Sequence, residues 1–514
     1  MVGSHATNSV GSSANPLPGG PLGRPSTLGH KADSSNFILF ILEVLRCFDL
    51  AVEFIWLFFL LAFESIFLCS TMASSILDVG IERLRASITE GRPESVRSRQ
   101  NEFQRLHTAL RDNSANICDA ISKDESCSTA DAEKEFYLTM DALRTFYETL
   151  DFDHLLKQEY LVKEGKDNPN RRVGLGLVAI RPSSHSQFYS VLVPLGAAIA
   201  AGNCVILEVS FFAETMQDGK GVLLILDQLT NSPSAVGAAL LNYLPSALDQ
   251  DTFFIIPNKL RPSQLSKIDL FVNQTSQIAD FSISQLTSSS QSTPIAVIDR
   301  TADINVAAKA IATARMVPHR TSPYSPEFVI VNAFILDAFK AACLKYTDGL
   351  SNLTIKTCTS ITDAITSQKE SPVFLATYLF AAPSVSKFLS EQLPSQASYI
   401  NQIPLSLLYG PASPSSFPLA QNPRYTPEMF SVSRPQIVSK EPEIPNKVDV
   451  LRELATKKLK ETGQKPGYAV GFFEQGIFIG LGVTALVVLP AVSWGMWTVG
   501  RQAWKYAAAR GKLM

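Results

Sequence analysis

From residue 80 onward the apolar positions change period several times, and each change marks a new element. Ile81, Leu84 and Ile88, then Phe103, Leu106, Leu110 and Ile117, recur at helical spacing, with GRPES (91–95) as the turn between the two runs. A second helical stretch covers 130–157. At GLGLVAI (174–180) the pattern becomes a continuous apolar run of strand length, followed by a small-residue helix, VLVPLGAAIAAG (191–202), and the strand CVILEVS (204–210). Strand, helix and strand at that separation predict a parallel crossover unit. FFIIP (253–257), IDLFV (268–272), TPIAVID (293–299) and EFVIVN (327–332) predict further buried strands, with the helix INVAAKAIATARM (304–316) between the last two. The predicted class is α/β with an open parallel sheet.

Two apolar segments at the ends do not fit a soluble core. Gly476 to Gly500 contains no charged residue, and as a helix it reaches roughly 37 Å against a hydrocarbon core of about 30 Å. It predicts a transmembrane helix. Trp494, Trp497 and Trp504 mark one interface, and Arg501, Lys505, Arg510 and Lys512 follow as a basic tail (501–514). So few residues follow it that a tail anchor with a cytosol-facing body is expected, in the mitochondrial outer membrane, the peroxisome or the endoplasmic reticulum. The second segment is Phe37 to Cys69, where Glu43, Arg46, Asp49, Glu53 and Glu64 fall within about a third of a helical circumference. That pattern predicts an apolar amphipathic helix (37–72) in or against the membrane plane, with a true span or a core helix as alternatives. Residues 1–36 are rich in Ser, Gly and Pro and read as a disordered leader.

Composition narrows the functional classes. The chain of 514 residues has 45 Lys and Arg against 47 Asp and Glu, a net charge of -2, which leaves no basic field for nucleic acid. Seven dispersed cysteines show neither CxxC nor Cys/His metal spacing, and no metal site is expected. GxGxxG, GxxxxGK[ST] and GxSxG are all absent. GLG at 174–176 reads as close backbone packing within a strand.

The stretch GLGLVAIRPSSHSQFYSVLVPLGAAIAAGNCVILEVS (174–210) resembles the cofactor-domain core of aldehyde dehydrogenases. Residues 84–124 resemble the amino-terminal helices of the class 3, fatty-aldehyde branch. TPIAVIDRTADINVAAKAIATARM resembles the strand and helix before its catalytic cysteine, and SRPQIV (433–438) its closing segment. The resemblance implies an aldehyde dehydrogenase-like fold: amino-terminal helices and a cofactor-type domain (80–292), a shortened α/β catalytic-type domain (293–400) and a closing segment (401–440). A basic linker (441–475) then leads to the membrane helix. It also implies a homodimer, NAD or NADP as cofactor, and long-chain aldehydes as substrate.

The chemistry implied by the resemblance fails residue by residue. Anchoring on the strand EFVIVN puts Pro323 at the nucleophile's position, and no cysteine lies between Cys204 and Cys343. Proline lacks both a thiol and a backbone N–H for the oxyanion, a donor worth about 10²–10³ in rate. His185 stands at the oxyanion asparagine's position and Ser288 at the general-base glutamate's. On the cofactor side Glu208 replaces a lysine, while Asn273 and Gln274 replace the glycine-bearing turn that lets a pyrophosphate approach a helix N-terminus. No catalytic or cofactor set is intact. The expected function is a membrane-anchored pseudoenzyme serving as an interaction or lipid-sensing platform, with no cofactor required. The alternatives are an NAD(P)-dependent oxidoreductase with displaced catalytic residues, among which Cys343 is the candidate nucleophile, and a protein that binds nucleotide or aldehyde without turnover.

Overall fold

The computed structural model describes residues 77–209, 234–256, 259–275, 284–288, 292–316, 322–346, 353–369, 371–417, 422–438, 448–463 and 470–510. The leader and the amphipathic segment 37–72 lie outside the described residues. Helix α1 (77–89) is followed by α2 (Val96–Asp112), α3 (Ser114–Asp124), α4 (Thr129–Glu148) and α5 (Phe152–Tyr160). Ser95, Ser128 and Asp151 cap α2, α4 and α5 by accepting the backbone N–H three residues on. The Asp151 cap divides the expected 130–157 helix into two.

Two parallel five-stranded sheets carry the rest. In the first, β2 (Leu177–Arg181), β3 (Cys204–Glu208), β4 (Phe253–Ile256), β5 (Leu270–Asn273) and β6 (Gln285–Thr287) lie in the order β4-β3-β2-β5-β6. In the second, β7 (Ile295–Ile298), β8 (Phe328–Asn332), β9 (Thr354–Cys358), β10 (Thr377–Phe380) and β11 (Ser398–Ile400) lie in the order β11-β10-β7-β8-β9. Order reversal around β2 and β7 is the doubly wound pattern, which requires helices on both faces. Strand β2 accordingly buries all five residues, with Val178 and Ile180 in one core and Leu177 and Ala179 in the other. Each such apolar side chain contributes about 1.5–3 kcal/mol.

Helix α6 (Gln187–Ala200) makes the β2-to-β3 crossover and packs with α4 on the first core. Helix α7 (Ala235–Ala247) covers the same face, and α8 (Ile304–Met316) and α9 (Leu336–Cys343) cover the second sheet. The GLG turn sits between sheets: β1 (Arg172–Gly174) pairs antiparallel with β12 (Ser431–Ser433), and β2 begins three residues later. A Cβ on Gly174 would lie 2.5 Å from the Gly202 carbonyl oxygen, and Gly176 has φ 122°, so both positions need glycine. After α10 (Pro383–Gln392) and the short helix α11 (Val448–Thr456), α12 (Phe472–Arg510) is long and apolar enough to cross a membrane. It runs past Gly500, so much of the expected basic tail is helical.

Candidate functional site

Open α/β sheets present ligands at the carboxyl ends of their strands. At that edge of the first sheet β2 ends on Arg181 and β3 on Glu208, placed side by side by the ladder that pairs Ile180 with Leu207. Glu208 is fully buried and takes both Arg181 Nε, at 2.5 Å, and Arg181 Nη2, at 3.0 Å. Its Oε1 also accepts the Leu260 N–H at 2.9 Å, so the carboxylate is saturated from within the chain. The Arg181 guanidinium lies 4.8 Å from the Phe271 ring centroid, closing its other face.

Asn273 and Gln274, at the end of β5, are also buried and occupied. Asn273 Oδ1 accepts the Thr275 N–H and hydroxyl, and its carbonyl accepts the Ser288 N–H. Gln274 Oε1 accepts the Ser183 N–H at 3.1 Å, while its Nε2 donates to the Ser190 carbonyl at 2.9 Å. Gln274 thereby pins the loop between β2 and α6, and Asn273 the turn that follows β5.

Two of the other sequence-identified positions, His185 and Ser288, and Tyr324 beside the third, Pro323, reach the segment 405–413. His185 Nε2 lies 3.2 Å from the Leu408 carbonyl, and desolvation pushes its imidazole down to about 4, which keeps the ring neutral. Ser288 donates to the Ala412 carbonyl at 2.8 Å. Pro323 precedes β8, and its neighbour Tyr324 fills the interior: the Tyr324 hydroxyl donates to Ser413 Oγ at 3.0 Å, and its carbonyl accepts the Tyr378 hydroxyl at 2.7 Å.

Sequence reasoning missed the residue at the centre of this arrangement. Arg424 is 1% exposed and donates to the carbonyls of Leu407, Tyr409, Pro411 (2.7 Å) and Ser406 (3.3 Å). Its guanidinium carbon lies 4.7 Å from the Tyr324 ring centroid and 5.8 Å from that of Tyr189. Gly410, at φ 81°, lets the backbone pass against Tyr189, where a Cβ would lie 2.4 Å from the ring. Nothing near Arg424 in sequence, in the loop NPRYTP, announces this role. Arg181 could have been found, because two adjacent apolar strands each ending on an opposite charge predict a pair.

The N-terminus of α6 begins two residues past His185 and would attract an anion. Two N–H groups there are already taken: that of the N-cap Ser186 donates to Glu125 Oε1 and that of Tyr189 to Glu135 Oε1. Burial, with Glu125 beside it, pushes the Glu135 carboxyl up to about 8. Cys343 ends α9, is buried, and its thiol is pushed up by burial to about 11. Among the described residues no cluster suits a metal, and all five cysteines are free. A groove of about 770 Å³, lined by Arg97, Phe152, Leu155, Arg172 and Ala201 among others, opens at the amino end of the first sheet. That is the opposite edge from the one ligands use in such sheets.

No protein-family profile matches the chain. The mouse protein "Aldehyde dehydrogenase family 3 member B1" is 28% identical over 188 residues, a match that spans 34% of this chain and 34% of that protein. Among solved structures, the substrate-bound state of Staphylococcus aureus AldH superposes with a TM-score of 0.54 at 13% identity, covering 79% of this chain and 99% of that one. Lactaldehyde dehydrogenase from Escherichia coli gives 0.53 at 12% identity over 70% of this chain and 90% of that one. The NADP-dependent glyceraldehyde-3-phosphate dehydrogenase from Bacillus halodurans, solved with NADP, gives 0.51 at 12% identity with the same coverage. At these identities the likeness establishes the fold.

Proposed function

Given the chain's relationship to the aldehyde dehydrogenase superfamily, we propose that it is a catalytically silent member, held at a membrane by α12 and acting as an interaction or lipid-sensing platform. The observation that carries this reading is that the polar groups at the would-be site are consumed by one another. A dinucleotide needs main-chain donors at a helix N-terminus for its pyrophosphate and strand-end side chains free to hydrogen-bond its ribose. The residues present do not fit it: Glu208 brings a carboxylate already saturated by Arg181 and Leu260, and the side chains of Asn273 and Gln274 are bound to Thr275, Ser183 and Ser190. Aldehyde oxidation through a thioester further needs a thiolate and an oxyanion donor. Pro323 supplies neither, His185 is turned to Leu408, and Ser288 has no basicity for activating water.

The oxidoreductase alternative rests on Cys343, whose raised pKa leaves almost no thiolate at neutral pH. The distinguishing experiment incubates the full chain in detergent with NAD+ or NADP+ and a long-chain aldehyde, and follows NAD(P)H absorbance. No turnover above a protein-free control is expected. Turnover that disappears in Cys343→Ala would establish the oxidoreductase instead. By the same resemblance the chain is proposed to be a homodimer, in which two membrane helices would add avidity.

A further inference from the structure

Helix α11, Val448–Thr456, stands on the surface with none of its residues buried. At 100° per residue Val448, Leu451, Leu454 and Ala455 fall within an arc of about 120°, while Asp449, Arg452, Glu453 and Thr456 occupy the opposite side. Val448 is 67% exposed, Leu451 42% and Leu454 61%, so much of the apolar arc is open to solvent, while Val450 beside it is half-buried. A nine-residue helix is marginal in water on propensity alone, and its stability is expected to come from a surface that covers that arc.

Charge and chain position identify the surface. Lys457, Lys458, Lys460 and Lys465 follow the helix, against one acidic residue, Glu461, in the same stretch. The candidate span begins at Phe472, close enough along the chain for α11 to reach the membrane face that α12 enters. The first turn of α12 is tied to the α/β body: Phe472 stacks on Phe388 of α10 with ring centroids 4.5 Å apart, and Phe473 meets the same ring edge-on at 5.4 Å. The body therefore stays beside the point where the span enters the bilayer.

We infer that α11 is an in-plane lipid contact, its apolar arc set into the headgroup boundary and its lysines on anionic headgroups, so that the body lies preferentially on a negatively charged membrane. This rests on the membrane-anchored reading above. Such helices bind through apolar area together with attraction to anionic lipid, each lysine near the surface adding to the pull.

The test is amide hydrogen exchange of the full chain in nanodiscs of phosphatidylcholine alone and of phosphatidylcholine with phosphatidylserine. Exchange over 448–456 is expected to slow about tenfold or more in the anionic discs relative to detergent, and less in the neutral ones. Leu451→Asp with Leu454→Asp should abolish that protection in both discs. Replacing the four lysines by glutamine should erase only the difference between them. Protection of 476–500 with free exchange of 448–456 in both discs overturns the inference and leaves the anchor standing. Equal protection of 448–456 in both discs overturns the headgroup preference. Free exchange at 476–500 overturns the anchored reading itself.

Discussion

The two ends of the closed site hold charge in different ways. At the end of β2 and β3, Arg181 and Glu208 neutralise each other in a bidentate pair that is 7% and 0% exposed. Between the sheets, Arg424 is as deeply buried, yet its Nη1 and Nη2 donate to backbone carbonyls, and its guanidinium lies against Tyr324 and Tyr189. The first device is local and involves two side chains. The second ties one cation to a whole loop, so it organises backbone that would otherwise need water. Buried ion pairs are often replaceable together by apolar residues at little cost. A cation that satisfies several carbonyls has no simple apolar substitute, since each orphaned group costs about 1–3 kcal/mol.

The comparison breaks most sharply at Arg424. Arg424→Met should destabilise the fold by on the order of 5 kcal/mol, measured as a loss of cooperative thermal unfolding or a large drop in denaturation midpoint. Next comes the pair: Glu208→Leu alone leaves a buried guanidinium and should cost about 3–5 kcal/mol, whereas Arg181→Met with Glu208→Leu should recover most of it. A double variant as unstable as the single one would mean that the pair organises more than itself. Glu135→Gln is a smaller, pH-dependent case. Burial holds the carboxyl near 8 in the folded chain against the ordinary 4.5 of an unfolded one, so the unfolded chain releases its proton first and stability falls as pH rises between those values. The glutamine variant should lose that fall and melt a few degrees above the parent at pH 8 to 9. Smallest is Tyr324→Phe, which removes the hydroxyl that donates to Ser413 Oγ and accepts the Ser413 N–H, and should cost about 1–2 kcal/mol.

The scaffold was legible because burial on both faces of a parallel sheet forces continuous apolar runs. LVAI and VIL in β2 and β3, IAVI in β7 and VIV in β8 all declare themselves that way. The edge strand β9 was missed because only Cys358 of its five residues is buried and the sequence TIKTC lacks such a run. β1 and β12 are three residues each with none buried, too short for any period to register. At the site, the side chains at 185, 208, 273, 274, 288 and 323 were named from sequence, but their partners were not. Arg424 is far along the chain from Tyr189, and Glu125 and Glu135 reach α6 from helices whose own pattern explains them as surface and core. Such contacts follow from tertiary packing, which single-sequence periodicity does not carry.

A silent protein on the aldehyde dehydrogenase fold requires that the carboxyl edge of the first sheet stay closed from inside by Arg181, Glu208, Asn273 and Gln274. The most direct test is calorimetric titration of NAD+ and NADP+ into the detergent-solubilised full chain, after a thermal melt has confirmed folding. The account predicts no saturable heat up to millimolar cofactor. Saturable binding in the micromolar range would contradict it, because the buried pair would then have to open for a phosphate-bearing ligand.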